Sequence, residues 1–386
     1  REDRGKDKWE RITWDEALDT IVSKYKETVE NYGIGAVSVW CGTGREASQI
    51  HFQMANDVFG TVNAIHPNSG WSCIVPRMAA MLWTMGSSYI EADNSIGFPD
   101  RYEDPRWECP KYILVWGKNP IYSSPDGFFG HALVDLMKLG SKLIVVDPQV
   151  TWIAAHAEYH LQLRPGTDTA LALAMCNVII SEDLYDHEFV EKWVYGFNEF
   201  AECAAEWTPE KAGEICWIPA ETIQGAARAF ATNCPSSALW GLSIDTMTNG
   251  VQAGHTFLAI CALCGYMDIP GGITLARPSS FTGKWRYETV NSVPDEVRAK
   301  RIKDLDGKYK CWDAAGPGPL PDVTLDWLEM ENPPTQFKMS YWFGTNPLTC
   351  MAASPKRWEK ALNKLEFNVS QDIFMNPSIM ALCDLV

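Results

Sequence analysis

Two stretches, Tyr112-Ile-Leu-Val-Trp116 and Lys142-Leu-Ile-Val-Val146, are apolar at almost every position and are separated by a turn and a segment of helical length. A strand with one face in water alternates polar and apolar residues. A continuously apolar strand is covered on both faces, which is the condition of a parallel sheet between layers of helices. Further strands are expected at Ala36-Val-Ser-Val-Trp40, Thr61 to Ile65, Ser237 to Gly241, Lys338-Met-Ser-Tyr-Trp-Phe343 and Glu366 to Val369. Between them lie helical patterns. A capping box, Thr13-Trp-Asp-Glu16, precedes Ala17, Leu18, Ile21, Val22, Tyr25 and Val29 on one face, and helices are expected near 47–59, 127–139, most of 168–232, 251–267 and 356–365. The chain should therefore be α/β, with two Rossmann-like domains of mainly parallel sheet and helices on both faces.

At 386 residues, and roughly 150 per domain, two to three domains are expected. Residues 1–72 with 335–386 are assigned to a first, discontinuous cofactor-binding domain and 73–282 to a second. A basic run (Arg298, Lys300, Arg301, Lys303) followed by Gly316-Pro-Gly-Pro-Leu-Pro321 reads 283–334 as an excursion or linker. The balance of 33 Lys+Arg against 49 Asp+Glu gives −16, which disfavours nucleic acid as a partner. No apolar run reaches the roughly 18–20 residues of a membrane span. The abrupt termini, with no initiator Met and no apolar leader, suggest a piece of a longer protein and leave the compartment unread. Twelve cysteines in a chain of this size are read mostly as free and buried, and Cys261-Ala-Leu-Cys264 as core.

In doubly wound sheets, ligands sit beyond the carboxyl ends of strands, so the turns carry the chemistry. Gly42-Thr-Gly44-Arg-Glu-Ala47 fits the loose G-x-G-x-x-A dinucleotide pattern, but the next strand ends in Ala64-Ile-His66 with no acidic residue to hold a nicotinamide ribose. Two turns echo one another, Gly117-Lys-Asn-Pro120 and Gly344-Thr-Asn-Pro347, each after an apolar strand. Glycine lets backbone approach a ligand, Asn donates and accepts, and Pro fixes the entry to a helix. Two such turns point to two similar ligands, or to two ordinary strand-ending turns. Asp147, followed by Pro148, is suited to ribose hydroxyls or to a structural cap. Arg164-Pro-Gly166-Thr167-Asp168 opens a helix, where Asp168 caps the helix or accepts from a guanine edge. Cys73, after His66-Pro-Asn-Ser-Gly-Trp71-Ser72 and before a helix, is the best-placed soft metal ligand of the twelve thiols.

In this order, the turns resemble the molybdopterin oxidoreductase family, the superfamily of dimethyl sulfoxide reductase, nitrate reductase and formate dehydrogenase. The resemblance covers nearly the whole chain. It includes Thr13-Trp-Asp-Glu-Ala-Leu18, the two Gly-x-Asn-Pro turns, Val145-Val-Asp-Pro148, Arg164-Pro-Gly-Thr-Asp168, Cys264-Gly-Tyr-Met-Asp-Ile-Pro-Gly-Gly272 and Asp372-Ile-Phe-Met375. It implies two molybdopterin guanine dinucleotides whose dithiolenes hold molybdenum or tungsten. Gly117, Asn119, Pro120, Asp147, Pro148, Gly166, Thr167 and Asp168 would serve one dinucleotide. Gly344, Thr345, Asn346, Pro347 and Asp372 would serve the other, with Gly42, Gly44 and Trp71 also near the cofactor. Cys73 stands where the family places its protein ligand to the metal, and Arg77 and His66 are catalytic candidates by proximity in sequence.

The resemblance further implies two-electron redox or oxygen-atom transfer on a small molecule. A [4Fe–4S] cluster is expected in a preceding segment, with an iron–sulfur electron-transfer subunit and a membrane anchor subunit as partners. A prokaryotic source is implied, and the periplasm or the outer face of the cytoplasmic membrane is slightly favoured over the cytoplasm. Gln149 stands where many members have Arg. The competing readings are a non-catalytic scaffold subunit of a respiratory complex with this fold and a nicotinamide-dependent dehydrogenase, and the chain alone is expected to be inactive.

Overall fold

A computed structural model describes the chain except residues 1, 43–49, 67–73, 87–88, 125–126, 276–291, 304, 306, 309–320 and 351–353. Its strands, in chain order, are β1 Val37–Cys41, β2 Ala64–Ile65, β3 Ile90–Ala92, β4 Tyr112–Trp116, β5 Lys142–Val146, β6 Tyr159–Leu161, β7 Ser237–Trp240, β8 Ile273–Leu275, β9 Met339–Phe343 and β10 Phe367–Gln371. The order β10-β9-β1-β2 makes one parallel sheet and β6-β5-β4-β7 another, while β3 and β8 form an antiparallel pair. The chain divides into two compact units, 1–72 with 279–386, and 73–278.

In the contiguous unit, alternation splits the apolar strands between two cores. Leu114, Trp116, Ile144 and Val146 face one cluster, and Ile113, Val115, Leu143 and Val145 face the other. The first cluster is filled by helices Asp168–Ser181, Ala220–Ala231 and Gly250–Leu263. Asp168–Ser181 and Gly250–Leu263 are apolar nearly all round, as befits helices buried on several sides. The last ends at Leu263, short of the expected Met267, because Gly265 takes φ +68° and a Cβ there would lie 2.6 Å from Asp186 Oδ2. Cys176, Cys261 and Cys264 are free thiols in this core, and burial pushes their pKa values up.

In the discontinuous unit, β1 and β9 lie at the centre with five residues in register. One face packs Trp40 against Trp342 and Trp358; the other buries Val37, Val39, Cys41, Met339 and Phe343. A polar row crosses this sheet. Ser38, Ser340 and Asn368 are register partners, Ser340 Oγ donates to Asn368 Oδ1 (2.7 Å), and Asn368 Nδ2 donates to Leu382 O (2.9 Å). Helix Trp14–Tyr32 is capped by Thr13, whose Oγ1 accepts from Glu16 N–H (3.2 Å). Its packed face is narrower than expected: Ile21, Tyr25 and Val29 reach the core, whereas Leu18 and Val22 are exposed. The segment expected at 47–59 is helical from 50, then turns into a π-helix over Met54–Val58.

The stretch read as an excursion differs most from expectation. Ile302 and, on helix Pro321–Glu329, Val323, Leu325, Trp327 and Leu328 join the core of Trp40 and Trp342. Trp327 Nε1 donates to Thr335 O (2.6 Å). This part of 283–334 is core of the discontinuous unit rather than a linker, because a Pro-initiated helix buries one apolar face there. No helix among the described residues is long and apolar enough to cross a membrane.

Candidate functional site

Each unit closes the carboxyl edge of its parallel sheet in the same way. In the contiguous unit, Gly117 follows β4 and its N–H donates to Val146 O of β5 (2.9 Å), while Gly241 after β7 donates to Trp116 O (2.9 Å). In the discontinuous unit, Gly344 follows β9 and donates to Gln371 O of β10 (3.4 Å), while Gly42 after β1 donates to Phe343 O (3.4 Å). The backbones touch at both edges. A Cβ on Gly241 would lie 2.0 Å from Gly117 O, and one on Gly42 would lie 2.1 Å from Gly344 O. Gly117 and Gly344 also share the left-handed region, with φ +58° and +56°.

The match continues along each turn. Asn119 O accepts from Tyr122 and Ser123 N–H (3.1 and 2.9 Å), and Asn346 O accepts from Thr349 and Cys350 N–H (3.0 and 2.9 Å). Pro120 and Pro347 each start the short helix that follows. One strand over, Asp147 Oδ1 accepts from Gln149 N–H (2.8 Å) and Asp372 Oδ1 from Phe374 N–H (3.1 Å). Both carboxylates are thereby fixed as turns at a strand end. His160 Nε2 donates to Asp147 O (2.9 Å), and Gln162 Nε2 to Pro148 O (2.9 Å), which anchor the Asp-Pro step from β6 and beyond.

Polar capacity is left over on both turns. Asn119 Oδ1 and Thr345 Oγ1 are buried with no hydrogen-bond partner, a state that native interiors avoid unless a ligand or water completes it. Asn346 differs, since Ser378 Oγ donates to its Oδ1. Lys118, inside the first turn and absent from the sequence-derived site, donates to both Glu91 oxygens (2.9 and 2.9 Å). Burial raises the pKa of Glu91 against the opposing pull of Lys118.

Gly166 is exposed at φ +86°, and Thr167 Oγ1 donates to Arg164 O (2.6 Å). Asp168 is buried, and its Oδ1 accepts from Trp116 Nε1 (2.7 Å). Burial raises its pKa, with the Trp116 bond opposing. A guanine edge held by Asp168 would share Oδ1 with this indole N–H.

The two catalytic candidates reached by proximity in sequence lie in different units. Arg77 is buried in the contiguous unit: Nε pairs with Asp245 Oδ2 (2.6 Å), its backbone N–H with Asp245 Oδ1 (2.9 Å), and a terminal nitrogen with Tyr89 OH (2.7 Å). With the guanidinium also over the Tyr89 and Trp240 rings, this geometry pins helix Val75–Met85 to the segment after β7 and gives Arg77 a structural role. His66 is buried in the discontinuous unit between Cys41 O and the ring of His51, a partner that sequence proximity does not reveal. Gly44, Trp71 and Cys73 lie outside the described residues. Among the described residues, no group of three or more His, Cys, Asp or Glu side chains could hold a metal.

The model of the family described as "Molybdopterin oxidoreductase" matches residues 1–386. The chain belongs to the molybdopterin oxidoreductase family. It is 34% identical over 303 residues to acetylene hydratase of Syntrophotalea acetylenica, covering 78% of this chain and 39% of that protein. It is 28% identical over 388 residues to formate dehydrogenase H of Escherichia coli (strain K12), covering 97% of this chain and 51% of that one. The solved structure of acetylene hydratase from Pelobacter acetylenicus superposes with TM-score 0.76 at 27% identity, over 98% of this chain and 52% of that one. The chain thus spans about half, or less, of the length of these relatives.

Membership in the molybdopterin oxidoreductase family implies a molybdenum or tungsten pterin cofactor. The turns fit a polar, multiply hydrogen-bonding group of that kind. Each edge brings backbone into the open at a positive-φ glycine, fixes a carboxylate one strand away, and keeps one buried polar atom unspent.

Proposed function

We propose that this chain is the central part of the catalytic subunit of a molybdenum or tungsten enzyme carrying two molybdopterin guanine dinucleotides. The observation that carries the reading is the paired edge: Asn119 Oδ1 and Thr345 Oγ1, buried and unpartnered on equivalent turns, each beside a strand-end carboxylate, Asp147 and Asp372. Gly117, Asn119, Pro120, Asp147, Pro148, Gly166, Thr167 and Asp168 would hold one dinucleotide. Gly42, Gly44, Gly344, Thr345, Asn346, Pro347 and Asp372 would hold the other, with Trp71 beside the cofactor and Cys73 as the protein ligand to the metal.

When bound, the cofactor supplies two-electron redox chemistry or Lewis-acid activation at the metal. The chain supplies the rest. Asp147 and Asp372 accept from ribose hydroxyls, Asp168 accepts from the guanine edge, and the glycine turns let backbone N–H groups approach the dinucleotides. The substrate is a small molecule. Two-electron reduction, formate oxidation and hydration are the candidate reactions, a reading supported by likeness to formate dehydrogenase H and acetylene hydratase, and an iron–sulfur subunit is the natural partner for those that are redox. A [4Fe–4S] cluster and a periplasmic setting belong to the same reading of the full-length protein.

The test is molybdenum and tungsten content, with guanine dinucleotide released on denaturation, in the full-length protein and its Cys73→Ser variant. About one metal and two dinucleotides per chain are expected, with metal or activity altered by the substitution. A full-length protein free of metal and pterin would leave a scaffold with this fold.

A further inference from the structure

In the contiguous unit the chain runs from β4 outward to β5 and β6, then returns to the other side of β4 as β7, so the strand order reverses between β4 and β7. Ligands of open parallel sheets sit outside the carboxyl ends at such a reversal. The contact of Gly117 with Gly241 lies there, and beside it stands an ion pair. Lys118 Nζ donates to both oxygens of Glu91 on β3 (2.9 and 2.9 Å) and lies 4.8 Å from the centre of the Phe129 ring, while the next residue, Asn119, keeps a buried Oδ1 unpartnered. The two charged side chains are 14% and 25% exposed, partly desolvated yet reachable, whereas Arg77 and Asp245, at 6% and 0%, are closed off. A pair desolvated to this degree adds little net stability, because taking two charges out of water offsets their attraction. Among the described residues, Glu91 is faced by Lys118, by Arg77 and by Tyr89, whose OH is already bonded to Arg77 (2.7 Å). Asp245 is paired with Arg77, the cross-strand partner of Glu91 is Thr274, and β7 carries no charged residue.

We propose that Lys118 and Glu91 are an exchangeable pair: a phosphate-class anion entering this crevice takes Lys118 Nζ from Glu91, and the released carboxylate takes up one proton from solvent. One negative charge arrives with the ligand and one is neutralised on Glu91, so the partly desolvated site gains no net charge. Burial already raises the pKa of Glu91 and only its cationic neighbours oppose it. Withdrawing Lys118 and adding an anion both push further in that direction. Glu91 therefore holds its proton to higher pH with ligand than without, and affinity falls as pH rises between those two values. Identifying the anion with the diphosphate of a guanine dinucleotide rests on the function proposed above; the exchange rests on the pair and its place at the strand reversal. The equivalent turn of the other unit has Thr345 where Lys118 stands here, so the exchange belongs to one edge only.

Full-length protein made in a host that supplies no pterin is titrated with guanosine diphosphate and, separately, with inorganic pyrophosphate. Calorimetry at about pH 6 in two buffers of different ionisation heat counts the protons taken up on binding. The unaltered protein should take up more than Glu91→Gln, by as much as about one proton per ligand, a difference in which the ligand's own titration cancels. Glu91→Gln should bind several-fold tighter, since Lys118 no longer has to leave a carboxylate, and Lys118→Gln about tenfold or more weaker. Thermal midpoints are measured first; where Lys118→Gln lowers the midpoint, the double variant with Glu91→Gln, which strands no charge, takes its place and should bind as weakly. Equal proton uptake with and without the Glu91 carboxylate, undiminished binding after loss of Lys118, or no binding of either probe would overturn the exchange. With the proton difference present but guanosine diphosphate bound no more tightly than pyrophosphate, the exchange stands for phosphate and the guanine assignment falls. Metal and pterin content of the natural full-length protein decides the function proposed above independently.

Discussion

Asp168 shows how a residue suited to a ligand can weigh against the fold that carries it. Its carboxylate is buried beside Trp116, and its folded pKa stands above the ordinary carboxylate value. Between the unfolded and folded pKa values the folded chain binds more protons, so stability falls as pH rises through that window and is level above it. Asp168→Asn keeps an acceptor for Trp116 Nε1 and removes the cost of the charge. It should raise the thermal midpoint at neutral pH, lose that advantage below the ordinary carboxylate range, and, on the function proposed above, leave less guanine dinucleotide bound to the full-length protein. Calorimetry at two pH values and nucleotide analysis check this. Arg77 and Asp245 give the opposite case, two buried charges that complete one another. Arg77→Met should cost about 3–5 kcal/mol by urea denaturation, and adding Asp245→Leu should recover part of it, because the first change strands a buried carboxylate.

At the scale of elements, the two Gly-x-Asn-Pro turns invite a matched comparison. Gly117→Ala suffers both a positive φ and a Cβ 1.6 Å from Ser243 Oγ, whereas Gly344→Ala suffers the positive φ with open space around it. The second should cost about 1–2 kcal/mol, and the first distinctly more, with Ser243→Gly relieving the difference. Denaturation midpoints of the four chains decide it. These turns, and the strands before them, were legible because apolar runs and Gly, Asn and Pro act locally. What escaped was non-local or compositionally masked. Strands β3, β6 and β8, of three residues each, are too short for periodicity to register. Helix Pro321–Glu329 sits behind a Gly-Pro run that reads as a linker. His51 meets His66 only because the helix from 50 folds back over β1. Arg77 is near Cys73 in sequence, yet its side chain is committed to Asp245, 168 residues away.

For the whole molecule, the two units differ in how the chain builds them. Residues 73–278 are contiguous, contain a complete four-stranded parallel sheet and carry their own cores. Expressed alone, this segment should unfold in one cooperative transition, with circular dichroism and tryptophan fluorescence coincident. Residues 1–72 alone hold only β1 and β2, a pair too small to be stable, and should show no such transition. Coincident transitions in 1–72, or none in 73–278, would contradict this division.

The adjacency of β1 and β9 also sets a timetable for synthesis. Cys41 pairs with Phe343, which in turn pairs with Gln371. At roughly 5–20 residues per second, β1 therefore waits on the order of 15–60 s on the ribosome for β9, with only the two-residue β2 to pair with in that time. Meanwhile the intervening unit can form. Nascent β1, with its β9 edge open and Trp40 still without Trp342 and Trp358, is then the stretch most in need of a chaperone, and the Gly42–Gly344 edge is necessarily the last to close.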